Sequence, residues 1–195
     1  MKTLSLVAAA LAMTLSTPAL AHRLIEANEA VSVARSDLTV TPSVEWNRIS
    51  QRPGRRAERW TLDGELLNDV LFFAEIREED TLFREVNRRE RPLPEFTSNM
   101  LLVDIPTFLE GSLRVVKNIA SFETTHAEPT QFLGAAGIRF EYTALGADDL
   151  ARNGIAVASV IDGELFMMTY EAPAIHYFER DRAAFEQLVA TAHLD

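Results

Sequence analysis

The sequence predicts an α+β fold in which one antiparallel sheet carries helices packed on it. Three observations predict it. Ile138, Phe140 and Tyr142 alternate with Arg139, Glu141 and Thr143, the period of a half-buried strand. Asp162-Gly163 separates two apolar runs, and a two-residue hairpin turn needs positive φ at both central positions. Two apolar stripes at helical spacing, Ile105 to Val116 and Phe185 to Ala192, flank that strand-rich half.

Composition bounds the answer. The chain has 195 residues, 47% hydrophobic and 25% charged, which suits one globular domain with its own core. It has no cysteine, so disulfides, thiolate metal sites, a cysteine nucleophile and acylation at a cysteine are excluded. The formal net charge of -10 argues against a nucleic-acid partner, which needs a basic face. Seventeen of the 19 basic residues are arginine. Charge is uneven: residues 22–103 carry a net -3 and residues 104–195 a net -8.

Residues 1–21 read as a secretory signal peptide. Lys2 supplies the positive start, Leu4 to Leu15 the apolar stretch, and Ala19-Leu20-Ala21 the cleavage motif. Cleavage after Ala21 leaves residues 22–195 as a single α+β domain in the periplasm. No later run is long and apolar enough for a spanning helix.

Along that domain, residues 22–30 read as an irregular arm and Val31 to Val44 as short strand-like runs. Trp60-Thr61-Leu62 leads into a turn at Asp63-Gly64, and Val70 to Ile76 is a compact apolar strand. The charged stretch Glu78 to Pro94 reads as a long exposed loop. A helix follows, with Asp104 as N-cap, Pro106 in its first turn and Lys117 suited to the dipole at its end. The second half is a meander: Phe122 to His126, the strand around Phe140, Ile155 to Ile161, then Leu165 to Tyr170. A last helix spans residues 180–192.

This order of elements resembles a known fold. A strand pair, a Trp-containing hairpin, a strand and a helix precede a meander holding Gly134 and Gly137-Ile138-Arg139-Phe140. Asp162-Gly163-Glu164-Leu165-Phe166 then leads to the closing helix with Phe185 and Leu188. The pattern is similar to the PsbP-like sandwich, which DcrB-like bacterial envelope proteins share. It covers most of residues 31–192, as a pattern and not as a motif. Trp46-Asn47-Arg48 through Asp63-Gly64 is also similar to stretches of uncharacterised exported bacterial proteins. The resemblance implies an accessory or binding protein and transfers no site residue.

Few residue groups suggest chemistry. Arg48, Arg52, Arg55, Arg56 and Arg59 place five arginines within twelve residues, opposed only by Glu58 and bracketed by Trp46 and Trp60. The functional reading is a surface for an anionic or polar partner, because arginine forks bind carboxylate or phosphate and tryptophan supplies contact area. The other reading is a solvated loop around Pro53-Gly54 with the tryptophans in the core. His176 and Tyr177, with Glu171 and Glu179 nearby, could line a pocket or pack under a loop. If His22 becomes the new terminus, its amine and imidazole could bind copper together with His126 or His176; a frayed terminus is the alternative. No G-x-S-x-G elbow and no phosphate-binding glycine loop occurs. The sequence therefore favours a non-enzymatic periplasmic binding or accessory protein, with no cofactor and a protein or small anionic ligand as partner. A periplasmic metal-binding protein or envelope enzyme using His22, His126 or His176 is the alternative.

Overall fold

The computed structural model describes residues 22–195; residues 1–21, where a signal peptide is expected, lie outside the described residues. Eight strands form one antiparallel sheet. In chain order they are β1 (Arg23–Ile25), β4 (Trp46–Arg48), β5 (Ala57–Thr61), β6 (Asp69–Ile76), β7 (Ser121–Phe132), β8 (Ala135–Leu145), β9 (Ala151–Ile161) and β10 (Glu164–Pro173). Their spatial order is β1-β4-β5-β6-β10-β9-β8-β7. A small second sheet joins β2 (Val31–Ser32), β3 (Leu38–Val40) and β11 (His193–Leu194) in the order β11-β3-β2. The helices are α1 (Ile105–Lys117) and α2 (Tyr177–Thr191). The fold is α+β, but the sheet dominates it.

Both faces of the large sheet are covered, which explains why β6 reads as a nearly continuous apolar run. Val70, Phe72 and Ala74 face α2 and the small sheet. Leu71 and Phe73 face α1. The helices do not do this covering alone. The segment 77–101 is not merely an exposed loop: Leu82, Phe83, Leu93 and Phe96 are buried on the α1 face. Each buried side chain of this size stabilises by about 1.5–3 kcal/mol, enough to fasten a segment without regular structure. The Glu79 N–H donates to the Phe96 carbonyl, and the Phe96 N–H to the Asp80 carbonyl, closing the segment on itself.

Local features follow the sequence with four differences. Residues 22–30 contain β1, recruited as an edge strand by pairing with β4. The Asp104 side chain makes no capping bond, although Pro106 sits in the first turn of α1. Helix α2 begins at Tyr177, before the 180 expected. Strand β7 is exposed along most of its length, so its alternation marks no buried face. Asp162 and Gly163 have φ values of 50° and 79°, the positive pair that the hairpin turn requires.

A β-bulge shapes the region of the arginines. Leu165 pairs with Ile76 but Met167 with Phe73, so β6 carries one extra residue there. Phe73 and Ile76 consequently both reach the α1 core, and Glu75, at φ 54°, is turned out to meet Arg56.

Candidate functional site

Arginines 48–59 lie on β4, β5 and the loop between them. Trp46 and Trp60 are fully buried, with ring centroids 6.5 Å apart, so they give that surface support and not contact area. Glu58, 1% exposed, organises the arginines. It accepts hydrogen bonds from the Ala34 N–H at 3.0 Å, from Trp60 Nε1 at 2.7 Å and from Arg52 at 3.3 Å, and it pairs with Arg48. Arg55 pairs with Asp80 at 2.6 Å, and Arg56 with Glu75 and Asp80. The carboxylates that answer the arginines thus come from distant segments. Arg59, on the next outward position of β5, points to the opposite face of the sheet, where it meets Glu65 and Asp69.

Two arginines that the local run did not indicate join this surface. The loop 49–56 docks on the segment 82–84. A Cβ at Gly54 would stand 2.3 Å from the Leu82 carbonyl oxygen, and the Arg84 N–H donates to the Pro53 carbonyl. That close approach sets Arg84 beside Arg52. The turn at Ala34 and Arg35, both with positive φ, brings Arg35 to the same place. A cavity of about 600 Å³ is lined by Arg35, Arg52, Arg55, Arg84 and Arg88, and by the carboxylates of Glu79, Asp80, Glu85 and Glu95. Among the described residues, Arg35 and Arg84 have no carboxylate at ion-pair distance. Burial, and then the charges of Arg35 and Arg48 working against Glu58, lower the Arg52 pKa. With five arginines against four carboxylates, the lining keeps one positive charge in excess, in a chain that is acidic overall.

A second constellation lies under the C-terminal end of α1. Asp69 on β6 and Glu171 on β10 are cross-strand partners, 3% and 6% exposed. Lys117 Nζ bridges them, at 3.2 Å from Asp69 and 3.0 Å from Glu171. Tyr142 on β8 reaches Glu171 across β9, donating its hydroxyl at 3.2 Å. Burial works against the Lys117 ammonium, but Glu171 and Asp69 outweigh it and raise its pKa. Burial and then Glu171 push the Tyr142 phenol well above its usual range. The sequence signal for this group was weak: single acids inside the apolar runs of β6 and β10.

The histidines do not converge. His22 precedes β1 and His126 lies on β7, at opposite edges of the large sheet. His126 Nε2 stands 3.5 Å from Glu128. His176 is exposed at the start of α2, its ring 5.2 Å from that of Tyr177. Tyr177 packs towards the α2 core, whereas Glu171 faces Lys117 on the other side of the sheet. Among the described residues, no three His, Asp or Glu side chains gather as metal ligands, and no helix is long and apolar enough to cross a membrane.

No protein-family model matches the chain, and no curated protein matches it. Solved structures do. The solution structure of cyanobacterial PsbP from Synechocystis sp. PCC 6803 superposes with a TM-score of 0.56 at 11% identity, covering 94% of this chain and 99% of that one. The chain has a PsbP-like fold, as its order of elements suggested. Weaker likenesses are to LpqN of Mycobacterium tuberculosis (TM-score 0.37, 10% identity, 92% of this chain and 87% of that) and to the immunity protein TplEi of Pseudomonas aeruginosa (TM-score 0.42, 10% identity, 77% and 45%). At such identities the likeness is one of fold alone.

Proposed function

We propose that this protein is exported to the periplasm and works there as a non-enzymatic binding or accessory protein whose arginine face takes an anionic partner. One observation carries the reading. Arg35 and Arg84 are exposed, have no carboxylate partner among the described residues, and share a cavity of about 600 Å³ with Arg52. Guanidinium groups held in fixed positions recognise carboxylate or phosphate through paired N–H bonds. Arg48 and Arg52, tied to Glu58, give this surface its fixed positions, while Arg35 and Arg84 keep donors to offer. The PsbP-like fold suits an accessory role, and the cleavage motif after Ala21 supports export.

The partner this surface fits best is an acidic protein segment, since the exposed arginines stand on separate loops across an open depression. The test is fluorescence anisotropy of a labelled oligoglutamate peptide with the protein beginning at His22. The expected result is saturable binding that weakens with salt and falls about tenfold or more in Arg35→Glu/Arg84→Glu. Both residues are exposed and neither holds the core, so that variant keeps its fold. Equal binding by variant and wild type removes the arginine face from the function.

A further inference from the structure

The cavity over Lys117 lies beyond Arg59 from the arginine face, joined to it by a groove that Arg52, Arg84, Arg59 and Lys117 line, and it has its own charge pattern. Its volume is about 620 Å³, within the range of small-molecule sites. Its charged lining is layered. Asp69 and Glu171 form the floor. Above them Arg59, Lys117 and Arg152 have side chains between 16% and 25% exposed. At the mouth stand Glu65 and Asp148, each about half exposed. Leu66, Val116 and Ile119 complete the wall with apolar surface.

Donor accounting shows what the cations have left. An ammonium carries three N–H groups and a guanidinium five. Lys117 uses one on Asp69 and one on Glu171. Arg152 bonds Asp148 and the Leu150 carbonyl through its terminal nitrogens, leaving Nε–H and one Nη2–H. Arg59 bonds Glu65 through Nη1; its Nε stands 3.0 Å from Asp69 as an ion pair without a hydrogen bond, and Nη2 is also left. Three cations over two floor carboxylates leave one positive charge in the inner shell. Glu65 and Asp148 answer it from the mouth, where solvent weakens their hold.

From this geometry we infer that the cavity binds a small organic monocarboxylate with a compact apolar body. The carboxylate takes the spare donors of Lys117, Arg59 and Arg152 and supplies the single negative charge the inner shell lacks. The body lies against Leu66, Val116 and Ile119. Asp69 and Glu171 hold the cations in place, so little side-chain freedom is lost on binding. The rim acids Glu65 and Asp148 compete with the ligand for Arg59 and Arg152.

The probe is 3-methylbutanoate, titrated into the protein beginning at His22 and followed by methyl NMR shifts of Ile119 and Val116. Its amide and inorganic phosphate serve as controls for charge and for the apolar body. Saturable shifts with the acid, and none with the amide, are expected. Arg152→Gln should weaken binding about tenfold, as loss of one charge-assisted contact does. Glu65→Gln should tighten it about threefold by removing a competitor, an effect that a merely structural cluster would not produce. Arg35→Glu, whose side chain lines neither this cavity nor the groove beside it, should leave it unchanged, which separates this site from the arginine face. Equal shifts with amide or phosphate, an unchanged affinity in Arg152→Gln, or tighter binding of a tripeptide ending in valine would each overturn the assignment.

Discussion

The Tyr142 ring occupies the space that a side chain at Gly154 would fill: a Cβ built there would stand 2.0 Å from the tyrosine Cζ. The two residues are cross-strand neighbours on β8 and β9, and Gly154 is in turn opposite Glu171 on β10. Glycine lets the phenol lie across its strand and reach that carboxylate. Phe122 stacks on Tyr142 with ring centroids 4.6 Å apart, so the ring has no room to lift. Gly154→Ala is therefore expected to destabilise by about 1–3 kcal/mol, the usual cost of overpacking. In a Tyr142→Leu background the same change should cost much less. Urea denaturation of the four proteins measures the coupling, and additive effects would show that the ring is free to move.

The two tryptophans offer a cleaner contrast. Both are fully buried, yet Trp60 Nε1 donates to the Glu58 carboxylate while Trp46 Nε1 has no acceptor among the described residues. Trp60→Phe loses packing and a bond to a charged acceptor. Trp46→Phe loses packing but removes a desolvated N–H. Hydrogen bonds to charged groups contribute about 1.5–3 kcal/mol, so Trp60→Phe should be the more damaging by about that amount. Equal losses in thermal unfolding would mean that Glu58 is held well enough by Ala34, Arg48 and Arg52 alone.

What the sequence showed depended on periodicity and turn chemistry. The Asp162-Gly163 turn and the alternation of β8 are local properties, and both could be read directly. So could the stripe of α2, where Phe185 and Leu188 are buried. The segment 77–101 was harder to read, because Leu82, Phe83, Leu93 and Phe96 are buried at no regular spacing. The arginine run was visible, but its partners were not. Glu75 and Asp80 reach it through a bulge and a folded-back loop, and neither has a sequence signature near residue 52. Lys117 looked like a residue suited to a helix dipole. Its partners come from strands about 50 residues away on either side, so the cluster became visible only with the sheet order.

That cluster makes Lys117 the residue whose loss costs most. Removing it leaves two buried carboxylates side by side, with only Arg59 near Asp69 and the Tyr142 hydroxyl on Glu171. Breaking a buried ion pair from one side typically costs about 3–5 kcal/mol, and Lys117→Met should fall in that range. Adding Asp69→Asn and Glu171→Gln to Lys117→Met should recover part of it, because neutral amides need no counter-charge. The native ammonium also makes a pH argument. Its pKa in the fold is raised above the ordinary 10.5. Its contribution is complete below that value and is lost as pH rises through the folded one. Lys117→Met should therefore flatten the alkaline limb of the stability curve above about pH 10.5. A cost under about 1 kcal/mol would mean that water screens the group.

At the mouth of the same cavity the sign reverses. The Arg152 guanidinium, and then the Leu150 N–H, hold the Asp148 carboxyl down from 3.8 to about 2. A carboxylate favoured by the fold contributes above its unfolded value, and that contribution disappears as pH falls through the folded one. Wild type and Asp148→Asn should differ in urea midpoint by a constant amount from neutral pH down to about 4, and the gap should close between about pH 4 and pH 2. The Asp148 side chain is about half exposed at the surface, so the gap is small and should shrink with salt. A gap that survives at pH 2 would mean that the side chain acts through the Leu150 turn and not through its charge. Asp148 is ionised at neutral pH and holds Arg152 Nη1 and Nη2, so Asp148→Asn should bind the proposed carboxylate more tightly than wild type at pH 7.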